Sequence, residues 1–259
     1  MNPFETFLWS GFPWLAAAAF IIGVVWRWRT DQFGWTSHSS QIYESRILRL
    51  ASPLFHWGMM FVIIGHLMGL AIPKSWTTSV GVSETAYHLI ATIPGTIAGI
   101  AVIVGLVGLI YRRVVNRTVF LATSRSDKVM YLLLGVAILS GFTATVSTQV
   151  FGGPHGYDYR ETISPWLRQI MVFQANPDLM ADVPWEFKVH VVCGFSLIAL
   201  WPFTRLVHAF SAPVGYVSRP YIVYRSRDAR TKTAPRREVA WEQLEVPERE
   251  LDRRIQRPR

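Results

Sequence analysis

The chain is short of charge and almost without cysteine. Only 17% of its 259 residues are Asp, Glu, Lys or Arg, against about 25% in an ordinary soluble domain. The single cysteine, Cys193, excludes a disulfide framework and a thiolate metal cluster within the chain. It also excludes covalent c-type haem, because there is no Cys-x-x-Cys-His. The leader before the first apolar run lacks Lys and Arg, carries Glu5 and has no small-residue cleavage site suitably placed, so that run reads as a retained helix rather than a cleavable signal. No internal repeat of transporter type is visible.

What is present is apolar: 51% hydrophobic residues, 11 tryptophans and a mean hydropathy of +0.24. Five runs carry no charge: 8–26, 50–72, 85–111, 129–157 and 189–204. A bilayer core needs about 20 apolar helical residues. The first four runs suffice, the fourth ending near Val150 because Gly152, Gly153 and Pro154 follow. The fifth is short but extends to about 185–210, with Lys188 and Arg205 snorkelling. The expected fold is therefore an all-α, five-span integral membrane bundle in the cell membrane.

The net charge of +9 does not point to nucleic acid, because the basic residues cluster between and after the runs. Arg27, Arg29, Arg46 and Arg49 flank one loop, Arg112, Arg113, Arg117, Arg125 and Lys128 another, and the tail is rich in Arg. The other two loops hold fewer basic residues or are balanced by acids. Positive-inside places the N-terminus outside and the C-terminus in the cytoplasm. The spans and their flanks occupy 1–225, followed by a charged cytoplasmic tail at 226–259 that is expected to be disordered alone. In the 152–188 loop, Ser164-Pro165 followed by WLRQIMVF predicts an N-capped amphipathic helix, at the membrane interface or on an ordinary surface.

Four of the seven histidines lie in two spans. The second runs outward, with His56 near the inner face and His66 further out. The fifth runs inward, with His190 outer and His208 inner. Antiparallel spans then pair His56 with His208 and His66 with His190, each pair at one depth. Ionisable residues within spans are rare and functional by default. Two neutral imidazoles facing each other across a helix pair form an axial site for b-type haem, so two haems are expected, one above the other. The spacings agree only in part. His190 and His208, eighteen residues apart, share a helical face at a rise of roughly 27 Å, whereas His56 and His66, ten apart, rise about 15 Å and lie roughly 80° apart. Helix tilt, tilted haem planes or a kink at Pro202 are the means of reconciling them. His38 and His155 fall in loops. His88, at the outer start of the third span, is a candidate hydrogen-bond partner for a quinone headgroup, or a ligand-free interfacial His. Arg112, Arg113 and Arg205 stand at the inner rim, where they anchor the spans and are candidates to bind haem propionates. Gly65 is a small residue beside His66 that permits close approach.

The segments RLASPLFHWGMMFVIIGHLMGL (49–70) and FKVHVVCGFSLIALWPFTRLVHAFSAPVGYVSRPYIVYR (187–225) resemble the gamma subunit family of respiratory nitrate reductases, dihaem cytochromes b that oxidise quinol. The likeness covers about 1–225, is weak in the 152–185 loop and is absent from the tail. The resemblance implies haem ligation by His56, His66, His190 and His208, and quinol oxidation beside the outer haem. It also implies electron flow inward to an iron–sulfur beta subunit and a molybdenum alpha subunit that reduces nitrate, with protons released outside. Gly65 matches the family pattern. The stretch GVSETAYHLIAT lacks a Lys that members carry there, which leaves His88, Ser83 or Thr85 to substitute. Two other readings remain: a related cytochrome b feeding a different reductase module, and a haem-free anchor or transporter, for which the Pro94-Gly95 pair is the one hint.

Overall fold

The computed structural model describes residues 2–152 and 156–211. His155, the 225/226 boundary and the tail lie outside the described residues. Among those described, all regular structure is helical, and five helices are long and apolar enough to cross a bilayer: Pro3–Thr30, Arg46–Ala71, Glu84–Val115, Arg125–Val150 and Trp185–Phe203. The protein is a multi-pass integral membrane protein.

The second span packs on the third, the fourth on the fifth, and the fifth also on the first. Small residues make the second and third spans close neighbours, the usual membrane solution where lipid offers no hydrophobic drive. Gly58 sits against Ala98 and Val102, Gly108 against Ala51, and Gly105 against the Phe55 backbone. No comparable packing joins the second span to the fifth among the described residues. A slot is left between the two helices that carry the four intramembrane histidines.

The fifth span differs from the expected continuous helix to 210. Its α-helix stops at Leu200, a tight turn covers Trp201–Phe203, and Thr204 is extended at φ −123°, ψ 178°. Pro202 is the cause, since it has no N–H to donate and its ring clashes with the preceding turn. In lipid the freed carbonyls must find donors. Arg27 of the first span supplies them, donating from Nη1 to the Pro202 and Thr204 oxygens. Gly23, one turn earlier, leaves room for the Pro202 ring. From His190 to Leu200 the helix advances ten residues, about 15 Å, the same as from His56 to His66. The break falls between His190 and His208, where a kink at Pro202 was one of the means of reconciling the spacings.

Three spans carry wide π-helical turns at the ends that face the 152–188 loop, Phe7–Gly11, Leu67–Ala71 and Thr145–Val150. Such turns misalign main-chain carbonyls, and other elements capture them. Trp166 Nε1 donates to Trp9 O at 2.8 Å, Ser164 Oγ to Gly69 O at 2.9 Å, and Arg168 Nη1 to Leu70 O at 2.9 Å. These donors lie on the loop helix Ile163–Met171. Ser164 is therefore not the expected N-cap: the helix starts at Ile163 after Thr162, and the fully buried Ser164 hydroxyl is held by the Gly69 carbonyl. The apolar face of the helix, Ile163, Trp166 and Ile170, is covered by Trp9, Met180 and Val183 rather than by lipid headgroups.

A Cβ at Gly105 would fall 2.6 Å from the Phe55 nitrogen, whereas one at Gly95 would meet nothing within 4 Å. Gly105→Ala is expected to cost about 1–3 kcal/mol of stability through overpacking, measured by thermal unfolding in detergent, with Gly95→Ala near wild type. Equal effects of the two substitutions would contradict the close second–third span contact.

Candidate functional site

The slot brings the four histidines together in pairs. His56 and His208 have ring centroids 6.0 Å apart at 72° between planes. His66 and His190 are 5.7 Å apart at 30°. A metal ion holds an imidazole nitrogen at about 2 Å, so two imidazoles on opposite sides of one metal have ring centres roughly 6 Å apart.

The hydrogen bonds orient all four rings alike. Nδ1 of His56 donates to Ser52 O at 2.7 Å, Nδ1 of His66 to Val62 O at 2.8 Å, and Nδ1 of His190 to Ala137 O at 2.7 Å. His208 Nδ1 donates to Arg205 O. A carbonyl can only accept, so each Nδ1 carries the hydrogen and each Nε2 keeps its lone pair. This is the tautomer a metal-ligating imidazole needs. His190 reaches the fourth span because Gly141 has no side chain: a Cβ there would lie 2.6 Å from His190 Nδ1. His208 is placed by Asp127, which accepts from the Arg205 backbone N–H at 3.1 Å and from Arg205 Nη2 at 2.8 Å. Glycine 141 and Asp127 escaped the sequence reading, since a glycine in an apolar run and an acid at a helix start carry no signal of their own.

His88 uses the opposite tautomer. Its Nε2 donates to Gln149 O at 3.0 Å in the π-helical turn of the fourth span, leaving Nδ1 as an acceptor. It is thereby set apart from the four paired rings. Gly65 is exposed, with nothing within 4 Å of where its Cβ would be. At the same end of the bundle, Tyr159 lies against Gly69, and its hydroxyl is 3.4 Å from that of Tyr87. Burial and the Tyr87 bond push the Tyr159 phenol well above its ordinary range, so it stays protonated. Ser83 caps the third span by accepting from the Ala86 N–H, and Thr85 is exposed. Lys74, outside the third span, bridges Asp158 and Glu161, both at 2.7 Å.

At the His56 and His208 end a cavity of about 540 Å³ is lined by these two residues and by Arg112, Arg113, Arg205 and Tyr131, among others. Arg112 is held by Glu44 and Ser40 through four hydrogen bonds, tying the 31–45 loop to the third span. Arg205 pairs with Asp127. Among the described residues no group of three or more His, Cys, Asp and Glu gathers to hold an ion.

The family model described as "Nitrate reductase gamma subunit" matches residues 5–227. The nitrate reductase-like protein NarX of Mycobacterium tuberculosis is 53% identical over 230 residues, which are 88% of this chain. They are only 35% of that relative, so the chain spans about a third of its length. The nitrate reductase gamma chain of Bacillus subtilis is 44% identical over 220 residues, 85% of this chain and 97% of that one. The respiratory nitrate reductase 1 gamma chain of Escherichia coli is 30% identical over 230 residues, 88% of this chain and all of that one. A five-span bundle with two aligned imidazole pairs, matched along most of its length by that family, leads to one assignment: the chain belongs to the nitrate reductase gamma subunit family.

Proposed function

We propose that the chain is the membrane cytochrome b of a nitrate reductase complex, oxidising quinol near the outer face and passing electrons inward. His56 with His208 would hold an inner b-type haem, and His66 with His190 an outer one. One observation carries this reading: four intramembrane imidazoles pair at ring-centroid distances of 6.0 and 5.7 Å, each with Nδ1 turned to a main-chain carbonyl, which leaves Nε2 as the nitrogen able to ligate. An imidazole left facing lipid without a partner is costly, and an opposed pair is the donor set of a six-coordinate haem. When bound, the two haems supply one-electron carriers at two levels of the bilayer.

The chain's own residues do the remainder. Gly65 keeps the approach to the His66 ring open for a quinol headgroup. His88 Nδ1 accepts the quinol hydroxyl hydrogen while its Nε2–H stays fixed to Gln149 O. The proton then leaves on the outer side, where positive-inside puts the N-terminus. On the cytoplasmic side, the basic rim faces an iron–sulfur beta subunit and, beyond it, a molybdenum alpha subunit that reduces nitrate.

A dithionite-reduced minus oxidised spectrum of the chain in membranes, with its partner subunits present, is expected to show two b haems per polypeptide. His56→Ala and His66→Ala should each lose about one. A wild-type chain without haem in a haem-sufficient host would overturn the reading. For the quinol site, His88→Ala is expected to slow haem reduction by a quinol analogue about 10²-fold at unchanged haem content. An unchanged rate would remove His88 from the site.

A further inference from the structure

The loop helix Ile163–Met171 descends beside the first span. Near its start Trp166 donates to Trp9 O, and seven residues later Phe173 stacks on Trp14, ring centroids 4.4 Å apart at 26°. Trp14 is five residues further into the span than Trp9. From Trp14 to the exposed Arg29 the α-helix advances fifteen residues, about 22 Å, against a hydrocarbon core of about 30 Å. With the Arg29 charge held at one interface, Trp14 and the ring stacked on it lie just inside the other edge of the hydrocarbon. Ala18, Ile21 and Val25 share a helical face with Trp14 and are all exposed, so the stack borders a lipid-facing side of the span.

The loop helix ends in the bonds of a Schellman turn: Phe173 N–H donates to Ile170 O at 3.1 Å and Gln174 N–H to Gln169 O at 2.8 Å. The left-handed residue of such a turn is usually glycine, yet here it is Phe173, at φ 63°. A bulky side chain is disfavoured in that region. Phe173 is nonetheless 80% exposed, beside Met171 at 71% and Val172 at 60%. Residues 169–177 carry no charge, and the turn satisfies the N–H groups of Val172, Phe173 and Gln174, which suits a backbone where water is scarce. We infer that Met171–Phe173 is a re-entrant tip whose side chains insert into the outermost acyl-chain layer of the bilayer, against the first span and outside the five spans themselves. The strained backbone is kept because it aims an apolar ring at lipid rather than water. The same tip holds down the helix whose Trp166, Ser164 and Arg168 cap carbonyls of the first two spans. This lipid contact needs no cofactor in the spans.

The test places a nitroxide on Val172→Cys in the full chain, reconstituted in phosphatidylcholine vesicles, with the unsubstituted chain as the blank for buried Cys193. Collisions are measured with oxygen, which concentrates in hydrocarbon, and with a nickel chelate, which stays in water. Leu15→Cys, next to Trp14 and 57% exposed, is the lipid standard, and Asp178→Cys, exposed on the same loop, is the aqueous one. The oxygen-to-nickel ratio at Val172→Cys is expected to lie several-fold above that at Asp178→Cys and level with Leu15→Cys, and Met171→Cys carries the same expectation should Val172→Cys fail to assemble. Phe173→Asn, which suits the left-handed backbone better, is expected to drop the ratio towards the aqueous standard. A ratio level with Asp178→Cys in the otherwise unaltered chain would overturn the insertion. Poor access to both reagents would overturn it in favour of a protein cover such as a second copy, and a ratio unmoved by Phe173→Asn would remove the ring as the anchor.

Discussion

The site depends on one hydrogen bond repeated four times, from a histidine Nδ1–H to a main-chain carbonyl. It fixes which nitrogen carries the proton and which carries the lone pair, and it holds each ring against rotation. Three of the acceptors are on the histidine's own segment, at Ser52, Val62 and Arg205. The fourth, Ala137, is on the neighbouring span, so His190 is oriented only once the fourth and fifth helices have packed around Gly141. Without that common orientation the rings would be four polar groups in lipid with no shared direction. With it they are two ring pairs in which Nε2 is the nitrogen not bonded to a carbonyl.

A second constraint comes from the solvent. Inside a bilayer no water is present to satisfy a carbonyl that a helix releases. The protein releases several, at three π-helical turns on one side and at Pro202 towards the other. Donors from elsewhere in the chain meet five of these carbonyls: Trp166, Ser164, Arg168 and His88 at the π-helical turns and Arg27 at Pro202. The irregularities and their donors are therefore one system. The loop helix Ile163–Met171 earns its buried position by closing the outer ends of the first two spans. Arg27 permits the break that brings His208 level with His56.

The five spans, their approximate limits and the pairing of histidines by depth were legible in the residues, because charge-free length and helix direction are one-dimensional properties. The role of Ser164 was not. Its position before Pro165 and an amphipathic run matches an N-cap pattern, and only the nearby Gly69 carbonyl claims its hydroxyl instead. The three inner arginines looked equivalent as well. Their difference lies in Glu44 and Asp127, which are 68 and 78 residues away in the chain from the arginines they hold.

The amino-acid sequence by itself determined that the chain lives in a membrane, that it carries five spans, and that four histidines fall in two of them, since hydropathy acts through local composition. Only the tertiary structure decided that the fifth helix breaks at Pro202, that the rings pair with Nδ1 turned to a carbonyl, and that Arg113 has no acidic partner among the described residues. Those outcomes depend on which carbonyl, ring or carboxylate arrives from a distant segment. In a medium without water that arrival determines whether a polar group is satisfied or left to bind something else.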